Sequence, residues 1–136
     1  MKVLAPLLVL FLCATAAAEQ PAPEDAIAQR LIPPELIMGH QKEIGLDDKQ
    51  RGAIVKEIQS AQGQILEVQW QMQGAVEELV KLLDAARIDE ARALAQADKV
   101  MDLERTLKKA HLGMLIRIRN VLTDAQRAKL AGLRGK

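Results

Sequence analysis

Two short stretches, "LDDKQ" at Leu46–Gln50 and "LTDAQ" at Leu122–Gln126, have nearly the same sequence and decide how this chain divides into helices. The second stretch places Thr123 three residues before Gln126, which is the spacing of a capping box. In such a box, each of the two side chains accepts a hydrogen bond from the backbone N–H of the other residue. This stretch therefore predicts the start of a short closing helix.

The first stretch has the same chemistry, with aspartate in place of threonine. Asp47 suits the N-cap position, because aspartate is among the preferred caps, and Gln50 lies three residues later. Leu46 and Leu122 immediately precede the two caps. Arginine occupies the position where a hydrophobic staple would be completed in both cases, so we expect both leucines to pack on more distant parts of the chain.

Apolar residues between the two caps recur in alternating steps of four and three, which is typical of a helix packed lengthwise on another helix. In the first half they are Ile54, Ile58, Ala61, Ile65, Val68, Met72, Ala75, Leu79 and Leu82. In the second half they are Ala97, Val100, Leu103, Leu107, Ala110, Met114, Ile118 and Val121. The chain reverses near Ala86–Ala91, where Asp89 can cap the returning helix. The sequence therefore predicts an all-α fold, a long antiparallel helical hairpin with short flanking helices.

The beginning of the chain predicts export. Met1–Ala18 has a basic start, an apolar run and a small-residue cleavage site, which together are typical of a secretory signal peptide. The apolar run is too short for a membrane-spanning helix, which needs about 20 residues, so we expect no transmembrane anchor after cleavage. We expect Glu19–Ile32 to be a flexible leader and Pro33–Lys136 to be one helical domain, opening with a helix that ends near Gly45.

Composition narrows the functional classes. The chain has 19 basic and 18 acidic side chains, so it lacks the concentrated positive charge of a nucleic-acid-binding protein. It contains no Gly-rich phosphate loop and no nucleophile with a recognisable base, so we expect no enzyme activity. Once a signal peptide is removed, Trp70 is the only aromatic residue. A core made almost entirely of aliphatic side chains is thin, and dimerisation would stabilise it.

The repeated stretch resembles the signature of the periplasmic Spy/CpxP family, in which Leu-Thr-x-x-Gln occurs twice. The second copy matches fully, and the first has Asp47 instead of threonine. The resemblance extends from about Pro33 to Leu133 and includes the order of short and long helices. It implies a helical hairpin whose two copies of the signature meet, and which pairs into an elongated, cradle-like homodimer.

The resemblance also implies function. Family members bind unfolded or misfolded envelope proteins without ATP, or act as accessory proteins of the envelope stress response. An apolar face wider than the helix seam is a suitable surface for such clients. The candidate contacts are the flanking apolar residues and two peripheral charges: Val55, Leu66, Trp70, Val80, Arg117 and Arg119. The alternative is that a partner subunit buries these residues.

A second reading is metal binding, since one branch of the family is named for heavy-metal resistance. His111 lies three residues before Met114 and seven after Glu104, so all three fall on one helix face. With His40 from the first helix they would offer imidazole, thioether and carboxylate donors to a transition metal such as zinc or copper. The alternative is that Met114 is a core residue and the histidines are structural. A third hypothesis is a regulator that docks on a sensor kinase.

Overall fold

The computed structural model describes residues 23–134, which form five helices and contain no strand. The helices are α1 (Pro23–Ala28), α2 (Pro34–Gly39), α3 (Asp48–Leu83), α4 (Glu90–Val121) and α5 (Asp124–Leu133). The predicted all-α fold is confirmed. The predicted signal peptide lies outside the described residues.

α3 and α4 pack against each other and form the predicted hairpin. The two helices are antiparallel, as two hydrogen bonds between them show. The Gln50 side chain bonds the backbone oxygen of Val121, and the Gln96 side chain bonds the backbone oxygen of Ala75. With 36 residues, α3 is about 54 Å long at about 1.5 Å per residue. Asp89 caps α4 through the backbone N–H of Arg92 (3.1 Å).

The hairpin has two unequal halves. The contiguous core lies at the end where α2, α3, α4 and α5 meet, and its members are Ile32, Ile37, Ile44, Ile54, Ala61, Met114, Ile118, Leu122 and Leu130. We call this half the base (residues 23–65 and 107–134). The other half, residues 66–106, is a pair of helices in which only Val68, Ala93 and Gln96 are buried. We call it the tip.

The structure describes residues 23–32 of the segment expected to be a flexible leader. Residues 23–28 form α1, and Ile32 is buried in the core. Two backbone oxygens of the segment, those of Gln29 and Leu31, accept hydrogen bonds from the guanidinium of Arg134. The burial of Ile32 and these long-range bonds place the end of the segment against the base. Residues 19–22 lie outside the described part.

The first helix of the domain is shorter than predicted. We expected it to continue to Gly45, but α2 ends at Gly39 and residues 40–45 form turns. Glycine has low helix propensity, which favours an end at this point. Gly45 adopts φ of +64°, a left-handed conformation that glycine tolerates. The backbone N–H of Leu46 then bonds the oxygen of Gln41 (2.9 Å).

Candidate functional site

Both copies of the repeated stretch form capping boxes. The side chain of Asp47 accepts from the backbone N–H of Gln50 (2.7 Å), and the Gln50 side chain accepts from the backbone N–H of Asp47 (3.2 Å). Thr123 and Gln126 make the equivalent pair of bonds at 3.2 and 3.0 Å. These four bonds satisfy N–H groups at the starts of α3 and α5 that have no partner inside the helix.

The two capping glutamines also bind each other. Gln50 Nε2 donates to Gln126 Oε1 (2.8 Å), and Gln126 Nε2 lies 3.0 Å from Gln50 Oε1. Each amide donates in addition to the backbone oxygen that precedes the other copy's leucine, Val121 for Gln50 (3.0 Å) and Gly45 for Gln126 (3.3 Å). The two copies are therefore related by an approximate local two-fold symmetry.

This junction closes the base of the hairpin. Gln126 is 7% exposed, and among the described residues no buried side-chain nitrogen or oxygen lacks a hydrogen-bond partner. Leu122 is in the core, and Leu46 packs against it. A buried polar network that is fully satisfied fixes one geometry, because any other arrangement leaves desolvated groups unpaired. The repeated stretch thus has a structural role: it fixes α3 relative to α5.

The tip presents an apolar surface on one side. Seven of its large apolar side chains are 40 to 58% exposed. One of them, Ile88, lies in the turn between the helices. The six on the helices we call the tip face: Leu66, Val76, Val80, Leu83, Leu94 and Met101. Leu66 and Val80 were expected from the sequence to contact clients. Trp70, one turn beyond Leu66, is 67% exposed. Val55, the remaining apolar candidate, is 45% exposed at the base.

Helical periodicity places the tip face on the same side of the hairpin as α1. The cavities beneath α1 are lined by Gln62 from α3 and by Leu112 from α4. Val80 lies five turns after Gln62, and Leu94 lies five turns before Leu112, at about 3.6 residues per turn. α1 therefore lies over the base portion of this side and leaves the tip portion open. The opposite side carries polar residues such as Gln64 and Thr106, which line a shallow cavity there.

The two charged candidates lie at the base rather than beside the tip face. Arg117 forms an ion pair across the hairpin with Glu57 (2.5 Å). Arg119 lines a cavity together with residues of α5. Sequence reasoning placed these arginines as peripheral charges around the surface formed by Leu66, Val80 and the other flanking apolar residues. It could not show that α2 and α5 assemble only around one end of the hairpin.

The four candidate metal ligands do not form one cluster. His111 and Met114 line a cavity of about 600 Å³ together with Met38 and Glu35 of α2. Met114 is also a core residue, 7% exposed.

The other two candidates lie elsewhere. Glu104 lines a separate shallow cavity beside Met101. His40 Nδ1 lies 3.0 Å from the carboxylate of Glu43. Within residues 23–134 no three His, Cys, Asp or Glu residues are grouped so that they could hold a metal ion.

Sequence reasoning missed several residues of these surfaces. Leu94 of the tip face lies outside the predicted seam. Its spacing of five turns from Leu112 places the two leucines on the same side of α4, and this spacing could have identified Leu94 from the sequence. Met38 joins the cavity of His111 only because α2 folds back on α4. Nothing in the spacing along α4 indicates that contact.

Comparison with known proteins identifies the family. A family model described as heavy-metal resistance matches residues 3–129, nearly the whole chain. Searches of curated proteins and of solved structures each returned no match. Members of this family are typically extracytoplasmic, and no helix within residues 23–134 is long and apolar enough to cross a membrane. The resemblance seen in the repeated stretch is thereby confirmed: the chain belongs to the heavy-metal resistance family, which is part of the Spy/CpxP-like group of helical LTxxQ proteins.

Proposed function

We propose that this protein is a non-enzymatic, ATP-independent chaperone of the periplasm, exported through a cleaved signal peptide, that binds unfolded or misfolded envelope proteins. The observation that carries the proposal is the tip face. Its six apolar side chains are about half exposed on one side of a helix pair. Large apolar side chains exposed together on one side of a soluble protein are typical of interaction sites.

The physical argument concerns what such a surface can recognise. Unfolded chains share exposed apolar side chains and have no common shape, so a receptor for them needs apolar area without a shaped pocket. Burial of apolar surface stabilises a complex by about 25 cal/mol per Å² before the cost of association is subtracted. The tip face also has charged neighbours, including Lys81 and Glu78, which form an ion pair on α3 (3.6 Å). Such charges keep an apolar surface soluble while no client is bound.

Dimerisation belongs to the same proposal. The tip has little core of its own, and a second copy would stabilise it. A homodimer that leaves the tip face open would provide a longer apolar surface, whereas a homodimer that covers the face would remove it. Sedimentation equilibrium of the wild type and of Leu66→Asp distinguishes the two arrangements, because an added carboxylate in a buried interface would shift the protein toward monomer.

The test is aggregation of a denatured client diluted into buffer with the protein and without ATP, followed by light scattering. Leu66→Asp is compared with Gln64→Asp, which adds the same charge at nearly the same height on the polar side of α3. We expect Gln64→Asp to protect as the wild type does and Leu66→Asp to lose most protection. Equal protection by both variants, with both folded and in the same oligomeric state, would contradict the proposal.

A second candidate function is metal binding in a sensor or resistance protein, and two observations favour it. The family is named for heavy-metal resistance, and one cavity is lined by the imidazole of His111 and the thioethers of Met38 and Met114. Soft thioether donors with imidazole suit copper more than hard cations.

The two functions are separable by repeating the aggregation assay in EDTA and then with added zinc or copper. Protection in EDTA supports the chaperone, whereas protection only with metal supports the second candidate. Titration of His111→Gln beside His40→Gln then tests the cavity, since only the first change should weaken binding. If neither condition gives protection and a partner co-purifies at fixed stoichiometry, the regulator that docks on a sensor kinase is favoured.

A further inference from the structure

A cavity at the base is surrounded by arginines. It has a volume of about 520 Å³ and lies where the segment after α1 passes the end of α4 and the length of α5. Four of its lining residues carry guanidinium groups: Arg30, Arg119, Arg127 and Arg134. None of the described residues that line it is acidic. The cavity is therefore a concentration of positive charge in a chain whose overall charge is close to zero.

Two of these arginines are fixed by backbone oxygens. Arg127 Nη1 donates to the backbone oxygens of Leu122 (2.6 Å) and Arg119 (3.4 Å) at the end of α4. Arg134 donates to two backbone oxygens of the segment after α1. The carbonyl groups at the end of a helix carry partial negative charge, which explains how Arg127 is tolerated there. These two guanidinium groups have fixed positions before any ligand arrives.

The other two arginines have no partner of this kind. Within residues 23–134, neither the Arg30 nor the Arg119 guanidinium makes a hydrogen bond or an ion pair. The Arg119 residue is half-buried, and its guanidinium donors are not used by the fold. In the part of the chain that the structure describes, the only carboxylate bonded to any of the four is Asp124, which pairs with Arg127 and is exposed to solvent. An anion in the cavity would satisfy the free guanidinium donors.

The remaining wall of the cavity is apolar. Its accessible part consists of the half-buried Leu31 and Leu36 and the exposed Ala131, whereas Leu130 and Ile32 also line it but are buried in the core. Guanidinium groups bind carboxylate and phosphate oxygens through paired hydrogen bonds, whereas the apolar wall fits a hydrocarbon. The volume is within the range of sites for small ligands. A free phosphate or carboxylate would use only one side of this cavity.

We propose that the cavity binds a single-chain amphiphilic oxyanion, in which a carboxylate or phosphate contacts Arg119 and its neighbours and a short alkyl chain lies on Leu31, Leu36 and Ala131. The site lies at the base, away from the tip face, and does not depend on the proposed chaperone function. Its ligand class covers free fatty acids and alkyl phosphates, which share the same charged group and chain.

The experiment is calorimetric titration of the whole protein with octyl phosphate, octanoate, inorganic phosphate and octyltrimethylammonium. We expect octyl phosphate and octanoate to bind at least about tenfold more tightly than inorganic phosphate. Burial of only two methylene groups of the alkyl chain is sufficient for a tenfold difference in affinity. We expect no binding of the cation. If inorganic phosphate binds as tightly as octyl phosphate, the alkyl chain contributes nothing and the proposal of an amphiphilic ligand is wrong. If octyltrimethylammonium binds as tightly as octyl phosphate, the proposal that the cavity selects an anion is wrong.

Arg119→Gln is the decisive variant, because the Arg119 side chain makes no bond that the fold needs. Arg105→Gln is its control: Arg105 is on the same helix, is exposed and pairs with Asp102. We expect Arg119→Gln to weaken octyl phosphate by about tenfold and Arg105→Gln to leave binding unchanged. If both variants bind octyl phosphate as the wild type does, the cavity is not the site.

Discussion

The base and the tip are built from the same two helices and yet differ in how they are stabilised. At the base, α3 and α4 are joined by α2 and α5, the core contains Ile118 and Leu130 at 0% exposure, and the two capping glutamines bind each other. At the tip, every buried residue that the structure describes belongs to α3 or α4, and the apolar residues beside the seam stay half exposed. The seam continues from one half to the other, so the difference comes from the short helices. The same pair of helices therefore has a well-packed base and a tip with exposed apolar side chains.

The largest expected effect comes from comparing a core substitution at the base with one at the tip. Ile118→Ala at the base should lower the free energy of unfolding by about 3 kcal/mol, because a fully buried side chain leaves a cavity that the packed base cannot fill. Leu103→Ala at the tip removes a half-buried side chain, and we expect a loss of about 1 kcal/mol. Denaturant unfolding followed by far-UV circular dichroism measures both. Equal losses would mean that the tip is packed as tightly as the base.

Two buried glutamines give the next comparison. Gln126 makes bonds to Gln50, Thr123 and Gly45, whereas Gln96 at the tip makes one bond, to the backbone oxygen of Ala75. We expect Gln126→Ala to cost about 2 kcal/mol, because it leaves several partners unsatisfied, and Gln96→Ala to cost about 1 kcal/mol. Thermal unfolding of the two variants checks the order. A larger loss for Gln96→Ala would show that the junction is not the main polar contact of the fold.

A single cap should have a smaller effect. Thr123→Ala removes the side-chain acceptor at the start of α5, and we expect a loss of about 1 kcal/mol. Thr106 is the matched control, since its hydroxyl donates to the backbone oxygen of Asp102 in the middle of α4 (2.9 Å). Alanine is a better helix former than threonine, so Thr106→Ala should be neutral or slightly stabilising. Unchanged melting of Thr123→Ala would contradict its role as a cap.

The smallest expected effect is a gain. Gly63 and Gly74 lie inside α3, and a Cβ atom at either position would meet no atom within 4 Å. Replacement by alanine should therefore stabilise the helix by about 0.5 kcal/mol, through a smaller loss of backbone entropy. If Gly74→Ala is more stable but protects clients less, a partner backbone approaches that side of the tip. If protection is unchanged, the glycines have no role in binding.

The hairpin and its caps could be predicted because their causes are local in the sequence. Steps of three and four place Ile54, Ala61 and Ile118 on the facing sides of two helices, and all three are buried. The capping boxes depend on residues three apart. The contacts of the segment around Ile32 could not be predicted in this way, because they involve Arg134, which follows α5 more than a hundred residues later.

The candidate surfaces were predictable only in part for the same reason. Flanking residues such as Leu66 and Val80 are recognisable from the seam, but their exposure depends on where α1, α2 and α5 pack. The cavity that joins Met38 to His111 and the arginine-lined cavity both bring together residues from distant elements. No spacing along one helix encodes such contacts.

Hydrogen exchange of the whole protein, with and without an unfolded client, tests most directly the claim that the base stabilises the protein and the tip binds. The account predicts slow exchange of the buried base amides around Ile54 and Ile118 in both conditions. It predicts faster exchange around Val80 and Leu94 in the free protein, and slower exchange there once the client is added. Equal protection of both halves in the free protein, or client protection confined to the base, would contradict the account.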